Sequence, residues 1–424
     1  MNHQCVSIAI AALFVCGTGG QAQCGDQSGG VIDSETESES RPAGHSALVE
    51  SINRFGFKLF REIAASAPVD SNVFVSPVSA AIMLSAAYNG ASGSTQEEIA
   101  DCLELSDLSL ERMNRSWREL IDLFTSKDSL VEVGLSNSLW IRAGKTIEPG
   151  FSESLSDYYC QKEEVDFRLQ SATDSINEWA NRATGGRISS IVEESFPPNT
   201  AAVLLNATYF KGFWKRPFDS ARTRKSTFHL ASGREADCQM MWLTREDYII
   251  MSRGRAVSFD SQVTYYYSMF RQAPDEGMGF QKTAGVTLPY GNGSFRTTIL
   301  VPLRDYFDSS ATIDTLMNQF TWETWRSTLP LFNQGEFALG LPKFRISVGH
   351  DLEEVLQTLG IRGAFDPERA DFSNMFADGR GWIDRVRQKV FVKVDEKGTE
   401  AAAITKMLWG ESIPPTIVAD RPFL

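Results

Sequence analysis

Between Val49 and Ala64, Ile52, Phe55, Phe57, Leu59 and Phe60 recur among polar residues, the spacing of one apolar helical face. The same period predicts helices over Leu110 to Phe124, Asp351 to Leu359 and Ser175 to Ile191, the last with Ile176, Trp179, Ala180 and Ala183 on one side. Ser79 to Tyr88 is largely apolar and follows Ser76-Pro77, so it reads as a buried helix entered through a proline. Leu135 to Ile141 alternates apolar and polar residues, as a half-buried strand does. Ala201 to Phe210 is rich in apolar and β-forming residues, as expected of a central strand. Gly285 to Pro289, Phe295 to Pro302, Phe337 to Pro342 and Lys389 to Val394 are further strand-like runs, with Gly, Asn and Pro at the breaks. Helices come mainly early and strands mainly late, which predicts an α+β domain with no internal repeat.

The segment after the last strand has two unlike faces. Extended, it places Thr399, Ala401, Ala403, Thr405, Met407 and Trp409 on one side, and Glu400, Ala402, Ile404, Lys406, Leu408 and Gly410 on the other. The first face has no charge and begins with four small side chains. Such a stretch could enter an existing sheet between two strands without a clash.

Composition narrows the function classes. The chain has 424 residues, 42% of them hydrophobic, enough for a sizeable core. A net charge of −13 argues against nucleic acid as a partner. Cys5 to Cys16 is an apolar run too short to cross a bilayer, and Gly20-Gln21-Ala22 offers small residues for cleavage. Residues 1–22 therefore read as a secretory leader, although residues 1–4 contain no Lys or Arg. No other run suits a membrane span. Residues 23–45 read as an acidic, Ser-rich linker, and the folded unit is expected from 46 to 424. Removing the leader leaves Cys24, Cys102, Cys160 and Cys238, which lack the spacing of a zinc site. Buried free thiols are favoured over a disulfide. His45, His229 and His350 stand in no metal or hydrolase motif, so neither an enzyme nor a cofactor is expected.

Several motifs resemble one family. Glu396-Lys397-Gly398-Thr399-Glu400-Ala401-Ala402-Ala403 looks like the hinge of the reactive-centre loop in serpins, the serine protease inhibitor superfamily. Asn72-Val73-Phe74-Val75-Ser76-Pro77-Val78-Ser79 resembles the start of that family's second helix. Asn206-Ala207-Thr208-Tyr209-Phe210-Lys211-Gly212-Phe213-Trp214 resembles the end of the third strand of its main sheet. Leu341-Pro342-Lys343-Phe344, Ala370-Asp371-Phe372-Ser373 and Ala419-Asp420-Arg421-Pro422-Phe423 follow in family order. The resemblance implies helices packed around a large mixed sheet, with smaller sheets and an exposed loop over about 396–415.

It also implies a mechanism. The loop is offered to a protease, an acyl-enzyme forms, and the cut loop inserts into the main sheet before water releases the ester. By resemblance, Ser76, Ser79, Asn206 and Gln388 form the shutter that controls sheet opening, and Trp214 lies where the loop first enters. The family often has His where Gln388 stands, and Gln cannot change charge near neutral pH. A His-based pH trigger is therefore not expected at that position.

Two registers compete for the scissile bond: Glu411–Ser412, which is favoured, and Ser412–Ile413. Glu411 would suit a protease pocket carrying Arg or Lys and would suit trypsin poorly. Cleavage after Leu408 or Trp409 would suit a chymotrypsin-like target, and a cysteine protease remains open. The expected partner is one such protease, met by a secreted monomer. The alternatives are a non-inhibitory member, acting as ligand carrier or chaperone, and an inactive truncated one. Heparin binding by Arg112, Arg115 and Arg118 is a weaker reading than a solvated face, because Glu111 and Glu119 dilute them.

Three further expectations concern departures and modification. Residues 245–265 read as an insertion. Asn114-Arg115-Ser116 and Asn292-Gly293-Ser294 fit the glycosylation sequon, whereas Asn206-Ala207-Thr208 fits it at a buried position. The family fold usually continues past the position of Leu424, so this chain is expected to inhibit poorly if expressed alone. Thr399→Arg should turn an inhibitor into a substrate, since burying a guanidinium costs several kcal/mol. Gel analysis should then show cleaved protein in place of a denaturant-resistant complex.

Overall fold

The computed structural model describes residues 11–12, 43–105, 108–197, 199–243, 266–270, 282–303, 311–334, 337–379, 381–398 and 416–424. A two-residue strand β1 (Ala11–Ala12) lies parallel to β2 (Phe74–Val75). The first helices are α1 (Ala43–Ser66), α2 (Pro77–Gly90), α3 (Gly93–Leu103) and α4 (Leu110–Ser126). β3 (Val131–Arg142), α5 (Pro149–Ser154), β4 (Cys160–Val165), α6 (Gln170–Ala183) and β5 (Ala202–Gly212) follow. Then come β6 (Arg224–His229), β7 (Glu235–Leu243), β8 (Tyr266–Phe270), β9 (Thr283–Tyr290) and β10 (Phe295–Pro302). The last part holds α7 (Ile313–Gln319), α8 (Trp322–Thr328), β11 (Asn333–Gln334), β12 (Ala338–Pro342), β13 (Phe344–Asp351), α9 (Glu353–Thr358), β14 (Ile383–Val394) and β15 (Thr416–Val418).

The largest sheet has the order β13-β14-β5-β3-β4. β14 and β5 are parallel neighbours although the first comes from the end of the chain and the second from its middle. β5 in turn pairs antiparallel with β3. Two four-stranded sheets, β15-β12-β7-β6 and β10-β9-β8-β11, pack beside it. The α+β expectation therefore stands, but its order does not. Helices and strands interleave, because the main sheet takes β3, β4 and β5 from the first half and β13 and β14 from the second.

Three apolar clusters meet on this sheet. Helices α1 to α4 close over one, built on Phe55, Phe60, Ile82, Trp117, Leu204 and Val386. The smaller sheets enclose another, around Trp214, Phe228, Val286, Phe337 and Val390. On the opposite face, α6 and the segment after it cover Trp140, Val203, Leu205, Ala207 and Phe391. All residues from Ala202 to Tyr209 are buried, so β5 is covered on both faces, as a central strand should be.

Most predicted elements are present with shifted ends: α1 starts at Ala43, ahead of the expected boundary near 46, whereas the helix expected over Asp351 to Leu359 shortens to Glu353–Thr358 because Asp351 ends β13. One helix is displaced. α6 runs from Gln170 to Ala183 rather than from Ser175 to Ile191. Gly185 and Gly186 stop it, with φ of 55° and 80°, and the Gly186 N–H bonds back to the Asn181 carbonyl at 2.8 Å. Ile188 and Ile191 are buried from this non-helical segment. Cys102, Cys160 and Cys238 are free thiols. Asn114 cannot serve as a glycan acceptor in this fold, because its side chain is buried between Asn89 and Tyr158. Asn292 is exposed. Among the described residues, no helix is long and apolar enough to cross a membrane.

Candidate functional site

The junction of β14 and β5 is the place where a strand could enter the main sheet. It is closed by a continuous chain of buried hydrogen bonds. Gln388 on β14 accepts from the Ser76 N–H at 2.8 Å and donates to the Ser76 carbonyl at 2.9 Å. The Ser76 hydroxyl lies 2.8 Å from that of Ser79, which lies 2.7 Å from the Thr208 hydroxyl on β5. Thr208 donates to the Asn206 carboxamide oxygen at 2.6 Å, and Asn206 donates to Asn137 on β3 at 2.9 Å. All six side chains are at most 4% exposed. Buried polar groups of this kind are costly when left without partners, so the chain favours one closed arrangement.

Local sequence explains why α2 can serve as the bridge. Ser76 is its N-cap in an extended conformation, and Pro77 occupies the first helical turn. Residues 71–90 contain no charged side chain, so the helix buries almost completely beneath the sheet. The four shutter residues expected from sequence, Ser76, Ser79, Asn206 and Gln388, are thus brought together. Thr208 and Asn137 were missed. Asn206 and Thr208 stand two residues apart in the otherwise apolar run from Ala202 to Phe210, and that period signals a shared polar face.

The upper end of the junction is a second cluster. The Trp214 ring stacks on Tyr290 with centroids 4.3 Å apart. Its Nε1 donates to the Asp395 carbonyl at 2.9 Å, and its backbone N–H donates to the Lys397 carbonyl at 3.2 Å. Trp214 therefore both packs in the core and grips the chain leaving β14. The Glu396 carboxylate receives Lys343 at 2.8 Å and the Thr223 hydroxyl at 2.7 Å. Burial opposes the ionisation of Glu396, but Lys343 and Thr223 more than offset it and hold its pKa below the ordinary range.

Gly398 ends this clasp. It bonds with Asp395 in a tight turn and bridges Phe213 just past β5. Its φ is 97°, and a Cβ there would lie 2.2 Å from the Trp214 nitrogen. Only glycine fits this position. Thr399, Glu400, Ala401, Ala402 and Ala403 lie outside the described residues, as do Glu411, Ser412 and Ile413. So do the 245–265 segment, residues 13–42 and most of the expected leader. The helix α4 arginines expected to face solvent are exposed, and Arg115 and Arg118 pair with Glu111 and Asp157. Among the described residues, no group of three or more His, Cys, Asp or Glu could hold a metal ion.

A closed junction in a mixed sheet, with a glycine turn at its mouth, defines a class of fold, and the comparisons agree. The family model for Serpin (serine protease inhibitor) matches residues 50–424. The chain belongs to the serpin family. It is 28% identical over 383 residues to glia-derived nexin from Mus musculus, covering 89% of each protein. It is 28% identical to Serpin B6 from Pongo abelii, covering 89% of this chain and 94% of the relative. Among solved structures, human thyroxine-binding globulin complexed with thyroxine matches with a TM-score of 0.74 and 25% identity, over 89% of this chain and 93% of the other. The family thus includes inhibitory and non-inhibitory members.

Replacing Gln388 with Leu leaves the Ser76 N–H without a partner and its carbonyl with the Ala80 N–H alone. It should destabilise the protein by about 1–3 kcal/mol, read from urea unfolding. An unchanged midpoint and slope would show that the Gln388 contacts contribute nothing to closure.

Proposed function

We propose that this protein inhibits serine-type endopeptidases as a suicide substrate. The observation that carries this reading is the bridge from Gly398 to Phe213. The chain leaving β14 has already turned back at the mouth of the β14–β5 junction, the closed seam its continuation would have to enter.

The protease serine attacks the carbonyl before the scissile bond, forming an ester and releasing the downstream peptide as a free amine. Residues from Thr399 onward then enter between β14 and β5, with Thr399, Ala401 and Ala403 turned inward, and carry the bound protease away from its starting position. An inserted strand gains on the order of ten backbone hydrogen bonds at about 1 kcal/mol each. Ordering it costs about 1–2 kcal/mol per residue, so the driving force must come largely from relief in the sheet itself. Glu411–Ser412 is the favoured bond and Ser412–Ile413 the alternative. The first points to a protease whose pocket carries Arg or Lys. The protein acts as a secreted, extracellular monomer and is not itself an enzyme.

The likeness to thyroxine-binding globulin supports a second reading, a non-inhibitory carrier. A panel of glutamate-specific, chymotrypsin-like, trypsin-like and papain-like proteases separates the two. Full-length inhibitor should form a denaturant-resistant covalent complex with at least one, and mass spectrometry of the released peptide would identify the bond. Clean cleavage without complex throughout the panel favours the carrier.

A further inference from the structure

His350 belongs to no motif, yet β13 delivers it to the shutter. In the antiparallel pairing of β13 with β14, His350 stands directly opposite Gln388. Opposed residues on adjacent strands project to the same face. The His350 Nε2 lies 3.1 Å from the Phe74 carbonyl, while Gln388 holds both backbone polar groups of Ser76. Two cross-strand neighbours thus fasten the β13–β14 half of the sheet to Phe74 and Ser76 of the β2–α2 corner. The other half is fastened to α2 through Ser79 and Thr208. An inserting strand must part these two halves.

The surroundings suit a neutral ring. Residues 71–90, through β2 and α2, present no charge, and Gln388 across from His350 is neutral. Asp351, the next residue on β13, is engaged by Arg387 of β14 at 3.5 Å. Lys389 of β14 pairs with Glu193 at 3.8 Å, and Glu353 at the start of α9 accepts from the Val386 N–H at 2.8 Å. Asp70, just before this corner, is held by Arg234 at 2.8 Å. Among these described acids, each has a partner elsewhere, and Asp351 alone weakly favours an imidazolium.

Building on the insertion reading, we infer that His350 is a positioning residue for that step: neutral, it latches the β13–β14 half to the β2–α2 corner, and protonated, it loosens the latch. Burial lowers the proton affinity of the ring, against weaker opposing effects of the Phe74 carbonyl and Asp351. A lowered value means that closure is fully stabilised above the ordinary histidine value of about 6.5. That contribution is lost as pH falls from there through the lowered value, because the open form takes up the proton first. The sensor absent at Gln388 is therefore supplied by its partner across the strand pair.

Hydrogen exchange of the full-length protein tests this, read on peptides from β5 and β14, with β9 and β10 as reference. Rates are corrected for the intrinsic pH dependence of exchange. Between about pH 7.5 and 5.5, opening of the junction should rise several-fold, bounded by about tenfold per unit of lowered proton affinity. His350→Gln keeps a donor that cannot be charged and should abolish this step. His350→Asn and His350→Tyr are measured beside it, each first shown to unfold cooperatively, so that one misfolded variant does not decide the outcome. The same step in these variants, or none in the unaltered protein, overturns the latch. The protease panel at both pH values keeps the two ideas apart. A His350-dependent step without any covalent complex sustains the latch and counts against inhibition. Complexes without such a step sustain inhibition and overturn the latch.

Discussion

The structure depends on one seam between strands that are distant in sequence. Gln388 and Ser76 are 312 residues apart, yet they share two hydrogen bonds in a site from which water is excluded. Each bond contributes only about 1 kcal/mol net, but an orphaned partner would cost more than the bond gains. The chain from Gln388 through Ser76, Ser79 and Thr208 to Asn206 is therefore nearly all-or-none. It can be whole with the sheet closed, or must be re-formed around something new if the sheet opens.

The three apolar clusters explain how each strand pair beside the seam is held in place. They meet on the main sheet, and β2 and β10 each also supply residues to two of them. β5 is packed against α6 on one face and the helical core on the other, so it stays with β3. β14 belongs with β13 through a regular antiparallel ladder over eight residue pairs. The two pairs are joined by one parallel ladder, the polar chain beneath it, the Trp214 clasp at one end and the Ala201–Asp384 bond at the other. Outside, the segment after α6 reaches across, with Arg385 of β14 against the Phe196 ring and Lys389 near Glu193. These surface contacts are weak compared with the buried ones.

Much of the helical framework was legible from periodicity alone, because amphipathic spacing is a local property. α1 and α4 announce themselves in this way, and the proline entry of α2 does so through cap chemistry. α6 misled because Ile188 and Ile191 continue its apolar period past the two glycines that end it. The shutter was legible only through family resemblance, since no local pattern couples Gln388 to Ser76. His350 was invisible for a related reason: β13 is an edge strand with exposed Arg345, Ser347 and Gly349, and its register against β14 has no signature in either segment. The clasp of Lys343 on Glu396 is likewise a long-range product of folding.

The parallel arrangement of β14 and β5 has a geometric outcome. A chain that leaves the end of β14, turns at Gly398 and runs back down the seam is antiparallel to both neighbours at once. The slanted bonds of one parallel ladder would give way to the straighter bonds of two antiparallel ones. The Phe213–Gly398 bridge is antiparallel already. A strand entering there would thus be bonded in the better geometry on both sides, and the turn at Gly398 already runs in that sense.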